Sequence, residues 1–297
     1  MTSKSKACGR ELGAALRAHR EQAGLGLNEL ARVLGWDPGV LSRLETGDRV
    51  ISEVDMVHHL ARCGVPYDRI TELAPLVRAA NFADGHWLTP HAPMLDEAVR
   101  SLIFHESLAA ASHSYEPQMI PGLLQTARYA HAMIGAEGGH TVEELDFHVG
   151  ARMQRQRVLN RRDAQFVFFI HEHALNLMIG DSAVMHEQLL SLIFATASQR
   201  VVVRVIPASA GERSIFGGAF RVFSFAESRP LAYLDGYISG LFIEDLVQVQ
   251  RYRKLFPRLD AVALDPGQSR EVLAKLASRY DHPGDTHGRH RLAQEQL

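Results

Sequence analysis

Between Leu27 and Thr46 the chain places an alanine, a glycine and four leucines at the spacing required by two short helices that cross over a tight turn. Ala31 is small where the first helix must admit the second, and Gly35, four residues on, sits where the turn needs a residue tolerant of positive φ. Leu30 and Leu34 point inward from the first helix. Trp36 follows the glycine as an apolar plug, while Leu41 and Leu44, three apart, form the buried stripe of the second helix. Asp37 as N-cap and Pro38 in the first turn give that helix an explicit start. The segment reads as a helix-turn-helix, in preference to an ordinary tight helical hairpin.

Asp37, Gly39, Val40, Ser42, Arg43 and Thr46 are then the side chains left at the exposed end of the second helix. In this geometry the N-terminal half of the second helix enters the major groove of double-stranded DNA. There Arg43 would donate a bidentate pair to guanine, and Ser42 would meet a base or a phosphate. Asn28, beside the free amides that open the first helix, is placed for a phosphate contact that fixes register. Arg49 and Arg20 are further phosphate candidates. Glu45 reads as structural, paired with Arg17 or Arg20, because a carboxylate repels phosphate. The net charge of -2 supplies no general attraction to DNA. Within residues 1–50, eight basic side chains against six acidic ones leave a small local surplus.

At 297 residues the chain is long enough for two folded units. Helical periodicity over residues 10–23, 27–34, 38–46, 52–63 and 67–80 predicts a mainly α, five-helix domain spanning 1–84. A stretch containing Pro and His, 85–93, reads as a linker. The second domain, 94–281, is helical in period over 95–111, 122–134 and 141–160. Strand-like runs follow at 166–171, 201–206 and 219–225, with a fourth at 231–235 and a helix over 182–197 between the first two. That succession predicts an α/β domain, a mixed sheet with helices. The polar, His-rich end, 282–297, reads as disordered. No apolar run reaches the roughly 18 to 20 residues of a membrane span, and residues 1–8 lack the apolar core of a signal peptide. A cytoplasmic chain with no membrane partner is expected, its two cysteines, Cys8 and Cys63, being free thiols.

Catalysis and metal binding find little support. Gly180-Asp181-Ser182 is similar to the nucleophile block of a class of lipases, but Ser182 follows a helical run at 173–179 and Asp181 reads as the cap of the next helix. His171-Glu172-His173 has a two-residue spacing, unlike the His-Glu-x-x-His of a helical zinc site. No catalytic residue, metal or cofactor is therefore expected. The aromatic residues Phe216, Phe220, Phe223, Phe225, Tyr233 and Tyr237 suit either a core or the lining of a partner or effector surface. Two-fold symmetry is expected of a protein whose single helix reads only a few base pairs. The helical first half of the second domain is the candidate dimer surface.

The run from Leu27 to Gly47 resembles the Cro and lambda-repressor type of helix-turn-helix, the xenobiotic-response-element family. Where members commonly carry a polar cap and a phosphate-holding Gln, this chain has Gly26 and Leu27. The second domain resembles the C-terminal region of antitoxin-like actinomycete regulators. The resemblance lies in Tyr115-Glu116-Pro117, Ile120 to Thr126, Arg155-Gln156, Val203 to Pro207, Phe242 to Asp245 and Leu264-Asp265-Pro266. Together the two cover about residues 10–280. They imply transcriptional control, often autoregulatory repression through a DNA operator, with a small toxin-like protein partner or a small-molecule effector acting on the second domain. An alternative reading makes neutralisation of the toxin-like partner primary and DNA binding secondary.

Overall fold

The computed structural model describes residues 6–82, 85–90, 97–236 and 239–281. The first part of the chain forms α1 (Ala7–Gln22), α2 (Leu27–Leu34), α3 (Pro38–Glu45), α4 (Glu53–Arg62), α5 (Tyr67–Thr71), α6 (Ala74–Phe82) and β1 (His86–Pro90). There follow α7 (Glu97–Leu108), β2 (Ala111–Glu116), α8 (Ala127–Glu137), α9 (Val142–Arg155), β3 (Gln165–His171), α10 (Glu172–Asn176), α11 (Ser182–Ala195) and β4 (Val201–Ile206). The chain continues through β5 (Phe220–Ser224), β6 (Leu231–Asp235), β7 (Ser239–Ile243), α12 (Leu246–Arg253), α13 (Phe256–Val262) and α14 (Pro266–Asp281). A helical N-terminal region and a mixed set of strands with helices are both present, as expected.

Two compact units divide the chain, and their boundaries depart from those read off the sequence. One contains the described residues of Met1–Pro90 and Phe223–Arg251, the other those of His91–Val222 and Tyr252–Leu297. The segment 223–251, expected in the second domain, thus belongs with the helices of the first. The reason lies in β1. Its five residues were expected in a linker, yet they pair antiparallel with β7, Trp87 opposite Phe242 and His86 opposite Ile243. Trp87 is buried and stacks on Phe242 at 4.9 Å, and Tyr233 of β6 lies 4.7 Å from the same ring. Gly85 O accepts from both Glu244 N (2.7 Å) and Asp245 N (2.8 Å). Residues 91–93 of the expected linker, Tyr237, and the tail 282–297 lie outside the described residues.

Within the same unit the fifth expected helix, 67–80, is two helices. Pro75 has no N–H to give and its ring would crowd the carbonyl of Thr71, so α5 stops there and α6 starts afresh at Ala74.

In the other unit β2, β3 and β4 pair in parallel, with Ser114 opposite Phe168 and Phe168 opposite Val203. Alternate residues Phe166, Phe168 and Ile170 of β3 and Val201, Val203 and Val205 of β4 face one core, covered by Met185, Leu189 and Leu192 of α11 and Leu273 and Leu276 of α14. Asp181 accepts from Val184 N at 2.9 Å, the cap expected from sequence. The outer edge of β4 is closed by one backbone and one side-chain partner: Leu264 N donates to Val205 O (2.8 Å) and Val205 N to Ser269 Oγ (3.0 Å). Sequence periodicity had run the preceding helix on to Ala111. The chain instead leaves α7 at Leu108 and enters β2, whose Ala-Ser-His-Ser start carries no apolar alternation.

Several residues that carry the family resemblance prove to be polar fastenings. Gln156 Nε2 donates to Gly122 O (3.1 Å) and Gln125 O (2.7 Å), and Gln125 Nε2 donates to Ile120 O (2.8 Å). Gln188 of α11 closes the same turn, donating to Leu124 O (2.8 Å) and accepting from Thr126 N (2.7 Å). Arg155 Nε and Nη2 clasp both oxygens of buried Glu106 at 2.6 and 2.8 Å. Arg221 Nη1 donates to that carboxylate too, and its Nη2 lies 3.8 Å from Glu116. Buried ions demand partners of this kind.

Candidate nucleic-acid interface

α2 ends at Gly35, which takes φ +70°, and Trp36 N then bonds back to Ala31 O at 2.8 Å, so the chain turns within two residues. Asp37 Oδ1 accepts from Val40 N (3.1 Å) and opens α3 behind Pro38. Leu30, Ala31 and Leu41 have no exposed surface, and Leu25, Leu27, Leu34 and Trp36 pack around them. The arrangement is the one the spacing predicted.

The structure sorts the expected contact residues into three kinds. Asn28, Ser42, Arg43 and Arg49 are exposed, and no hydrogen bond or ion pair occupies their side chains. The Arg43 guanidinium runs back beside Gly39, whose β-carbon, if present, would lie 3.6 Å from Nη1. Val40 and Gly39 are half-buried. Asp37 and Thr46 are exposed but locally engaged: Asp37 as the cap, Thr46 Oγ1 with Asp48 Oδ2 (2.9 Å) and Arg43 O (3.3 Å).

Arg20 belongs to none of the three, which corrects its assignment as a phosphate ligand. It is buried; its Nε and Nη2 donate to Glu45 at 2.6 and 2.8 Å, and its Nη1 to Leu25 O at 2.8 Å. The hydrogen bond to Glu45 raises its pKa. All its donating edges face inward, fastening α1 to the end of α3. Arg17, the other candidate for Glu45, pairs with Glu21 at 2.8 Å instead.

Two features that seat α3 escaped the sequence reading. Gly13 of α1 lies against the last turn of α3, where a β-carbon would come within 2.5 Å of Leu44 O and 2.8 Å of Glu45 O. Gly47 (φ +75°) meets α1 in the same way, a β-carbon there lying 2.6 Å from Arg10 N. Gly9 and Gly13, four apart on one helix face, were the available signal. The second feature is Glu244, whose carboxylate accepts from Ala7 N and caps α1 from 237 residues away. Nearby, the Arg10 guanidinium lies 5.5 Å from the centre of the Phe225 ring. Cys8 is wholly buried and its thiol is pushed up to about 12, chiefly by burial.

His59 of α4 is buried too, and burial, with help from Arg20 and His19, lowers its pKa to about 4. Its folded value lies below the ordinary one near 6.5, so the unfolded chain takes a proton that the folded chain refuses. Stability is therefore lost as pH falls from about 6.5 toward 4. The His59 ring resonances are expected to hold their neutral positions down to about pH 5; a midpoint near 6.5 would contradict its burial.

The residues weighed for other chemistry have structural partners. His171 Nδ1 accepts from His173 N (3.1 Å), which leaves the neutral ring's proton on Nε2, pointed at Ser214 Oγ (3.2 Å). Ser214 Oγ in turn donates to Gly211 O (2.6 Å), so this pair does not carry a proton from serine to imidazole. Glu172 accepts from Ala208 N. Phe220, Phe223 and Tyr233 are each buried, and Phe216 packs edge-on to Tyr115. Among the described residues no group of three His, Cys, Asp or Glu is placed to hold a metal ion, and no helix is long and apolar enough to cross a membrane.

Comparison with known proteins agrees with the two-part reading. A helix-turn-helix domain model matches residues 11–73. No curated protein matches the chain. One similar solved structure is that of TrmBL2, described as an archaeal chromatin protein with a novel mode of DNA binding, at 8% identity and a TM-score of 0.32. The match covers 71% of this chain and 65% of that one, so the chain spans about two-thirds of its length. A further family model, a domain of unknown function (DUF5753), matches residues 99–275. With more than half its length inside that match and a helix-turn-helix domain ahead of it, the chain belongs to the DUF5753 family.

Proposed function

We propose that this chain is a sequence-specific transcriptional regulator of the xenobiotic-response-element type, a cytoplasmic homodimer that represses its own operon. The observation that carries this reading is the state of α3. Its inner face is fixed by Leu41, Leu44 and the Arg20–Glu45 pair, while Ser42 and Arg43 point outward with their polar groups unclaimed. A rigid helix with free donors at its exposed end suits base readout. The small local surplus of positive charge suits a protein that relies on direct contacts and on two half-sites rather than on general attraction to phosphate. The DUF5753 region is the regulatory part, and an antitoxin-like role implies a small protein partner for it. A small open reading frame beside the gene favours that partner; a biosynthetic neighbourhood favours a small-molecule effector.

The test is a titration of full-length protein against its own upstream DNA and a scrambled duplex. Arg43→Ala is expected to reduce the preference for the operator by about 5- to 150-fold, the worth of one bidentate base contact. Asn28→Ala should weaken binding to both duplexes alike. Unchanged selectivity in Arg43→Ala would remove α3 as the reading element.

A further inference from the structure

α9 is 14 residues long, yet none of its residues is buried. Its inner side, with Leu145 near Gly135 and with Arg152 and Arg155 bonded to Gln125 and Glu106, is held by the rest of the unit. Its outer side is a single stripe. Glu143, Phe147, Gly150 and Gln154 follow one another at three- and four-residue steps, with Asp146 beside Phe147 on the same face, and Arg157 continues the line into the 3-10 turn Gln156–Asn160. Phe147 is 45% exposed, and a β-carbon on Gly150 would meet nothing within 4 Å. No ion pair or hydrogen bond engages the side chains of Glu143, Asp146 or Arg157.

The order of chemistry along this stripe is acid, aromatic, glycine, amide, base. Such an order complements itself when reversed. We propose that the outer face of α9 is where a second copy of this chain docks, the two α9 helices running antiparallel about a two-fold axis at Gly150; the proposal rests on the reading of the protein as a dimer. In that register Glu143 faces Arg157 of the second copy, Asp146 faces Gln154, and Phe147 lies beside the glycine that lets the helix backbones approach. Each contact occurs twice, as two-fold symmetry requires. The seam runs about 21 Å at 1.5 Å per residue. A parallel pairing would set acid against acid and base against base, so the charges select the antiparallel arrangement.

The full-length chain is expected to sediment as a dimer at a concentration on the order of tens of micromolar. Glu143→Arg and Arg157→Glu should each weaken the dimer about tenfold or more, by setting like charges opposite each other twice. An equimolar mixture of the two variants should recover the wild-type association, because each chain then brings the charge the other lacks. Gly150→Arg should weaken the dimer by at least as much while melting no lower than the wild type, since space around the glycine is open and glycine is a poor helix former. A wild-type dimer unaffected by all three substitutions would overturn the α9 face and leave the DNA-binding reading intact. A wild-type chain that stays monomeric would overturn this proposal and the dimeric part of that reading together. Neither outcome bears on whether one helix-turn-helix binds DNA, which the titration of Arg43→Ala decides separately.

Discussion

Glu106→Ala is expected to cost about 3 to 5 kcal/mol, the toll for breaking a buried ion pair by removing one partner. Glu106 has 1% of its surface exposed and accepts from two guanidinium groups, Arg155 along a bidentate edge and Arg221 through Nη1. Without it, Arg221 keeps only Glu116 at 3.8 Å, and Arg155 loses a two-bond clasp inside the unit. Glu106→Gln should fall between, because one oxygen still accepts while the charge is gone. The loss is read from the denaturation midpoint by far-ultraviolet circular dichroism. An alanine variant within about 1 kcal/mol of the wild type would mean the two arginines find water or other partners, and that the cluster does not hold α7, α9 and β5 together.

Gly13→Ala is expected to destabilise the helix-turn-helix unit by roughly 1 to 3 kcal/mol, although alanine is the better helix former. The added methyl would press on two backbone carbonyl oxygens, at 2.5 and 2.8 Å, and no side-chain rotation relieves a clash with backbone. Helix α1 must move off α3, and the Arg20–Glu45 clasp beside it stretches. Both tryptophans, Trp36 and Trp87, lie in this unit, so its melting is followed by tryptophan fluorescence of the full chain. DNA affinity should drop for operator and scrambled duplex together, because the seat of the whole helix is disturbed. A Gly13→Ala protein as stable as the wild type would show that α1 and α3 sit farther apart than described.

Both predictions turn on contacts between distant parts of the sequence, and there the reading of sequence alone fell short. The turn between α2 and α3 was legible because its requirements fall within twenty residues: small Ala31, left-handed Gly35, capping Asp37 and two leucine stripes. Asp181 was legible as a cap for the same reason. Glu45 could be recognised as structural from the sign of its charge, but the sequence offered two arginines for it. Arg20, the true partner, was also counted as a phosphate ligand, because an arginine near a helix end looks solvated until its neighbour 25 residues on is placed. The cap that Glu244 supplies to α1 leaves no local trace at all. β1 was hidden by its own composition, since His, Thr and Pro obscure a strand that Trp87 anchors by its burial. β2 was hidden because a strand inside a parallel sheet can bury serines, as Ser112 and Ser114 show, and so need not alternate.

The central claim, that α3 reads a DNA sequence, is tested most directly by selecting binding sites for the full-length protein from random-sequence duplexes. The account predicts enrichment of a two-fold-related motif with half-site centres about one helical turn, roughly 10 base pairs, or a multiple of it apart. At least one guanine position per half-site should lose its enrichment when the selection is repeated with Arg43→Ala. Recovery of no motif by the wild-type protein, or of the same motif with the same information at every position by Arg43→Ala, would contradict it.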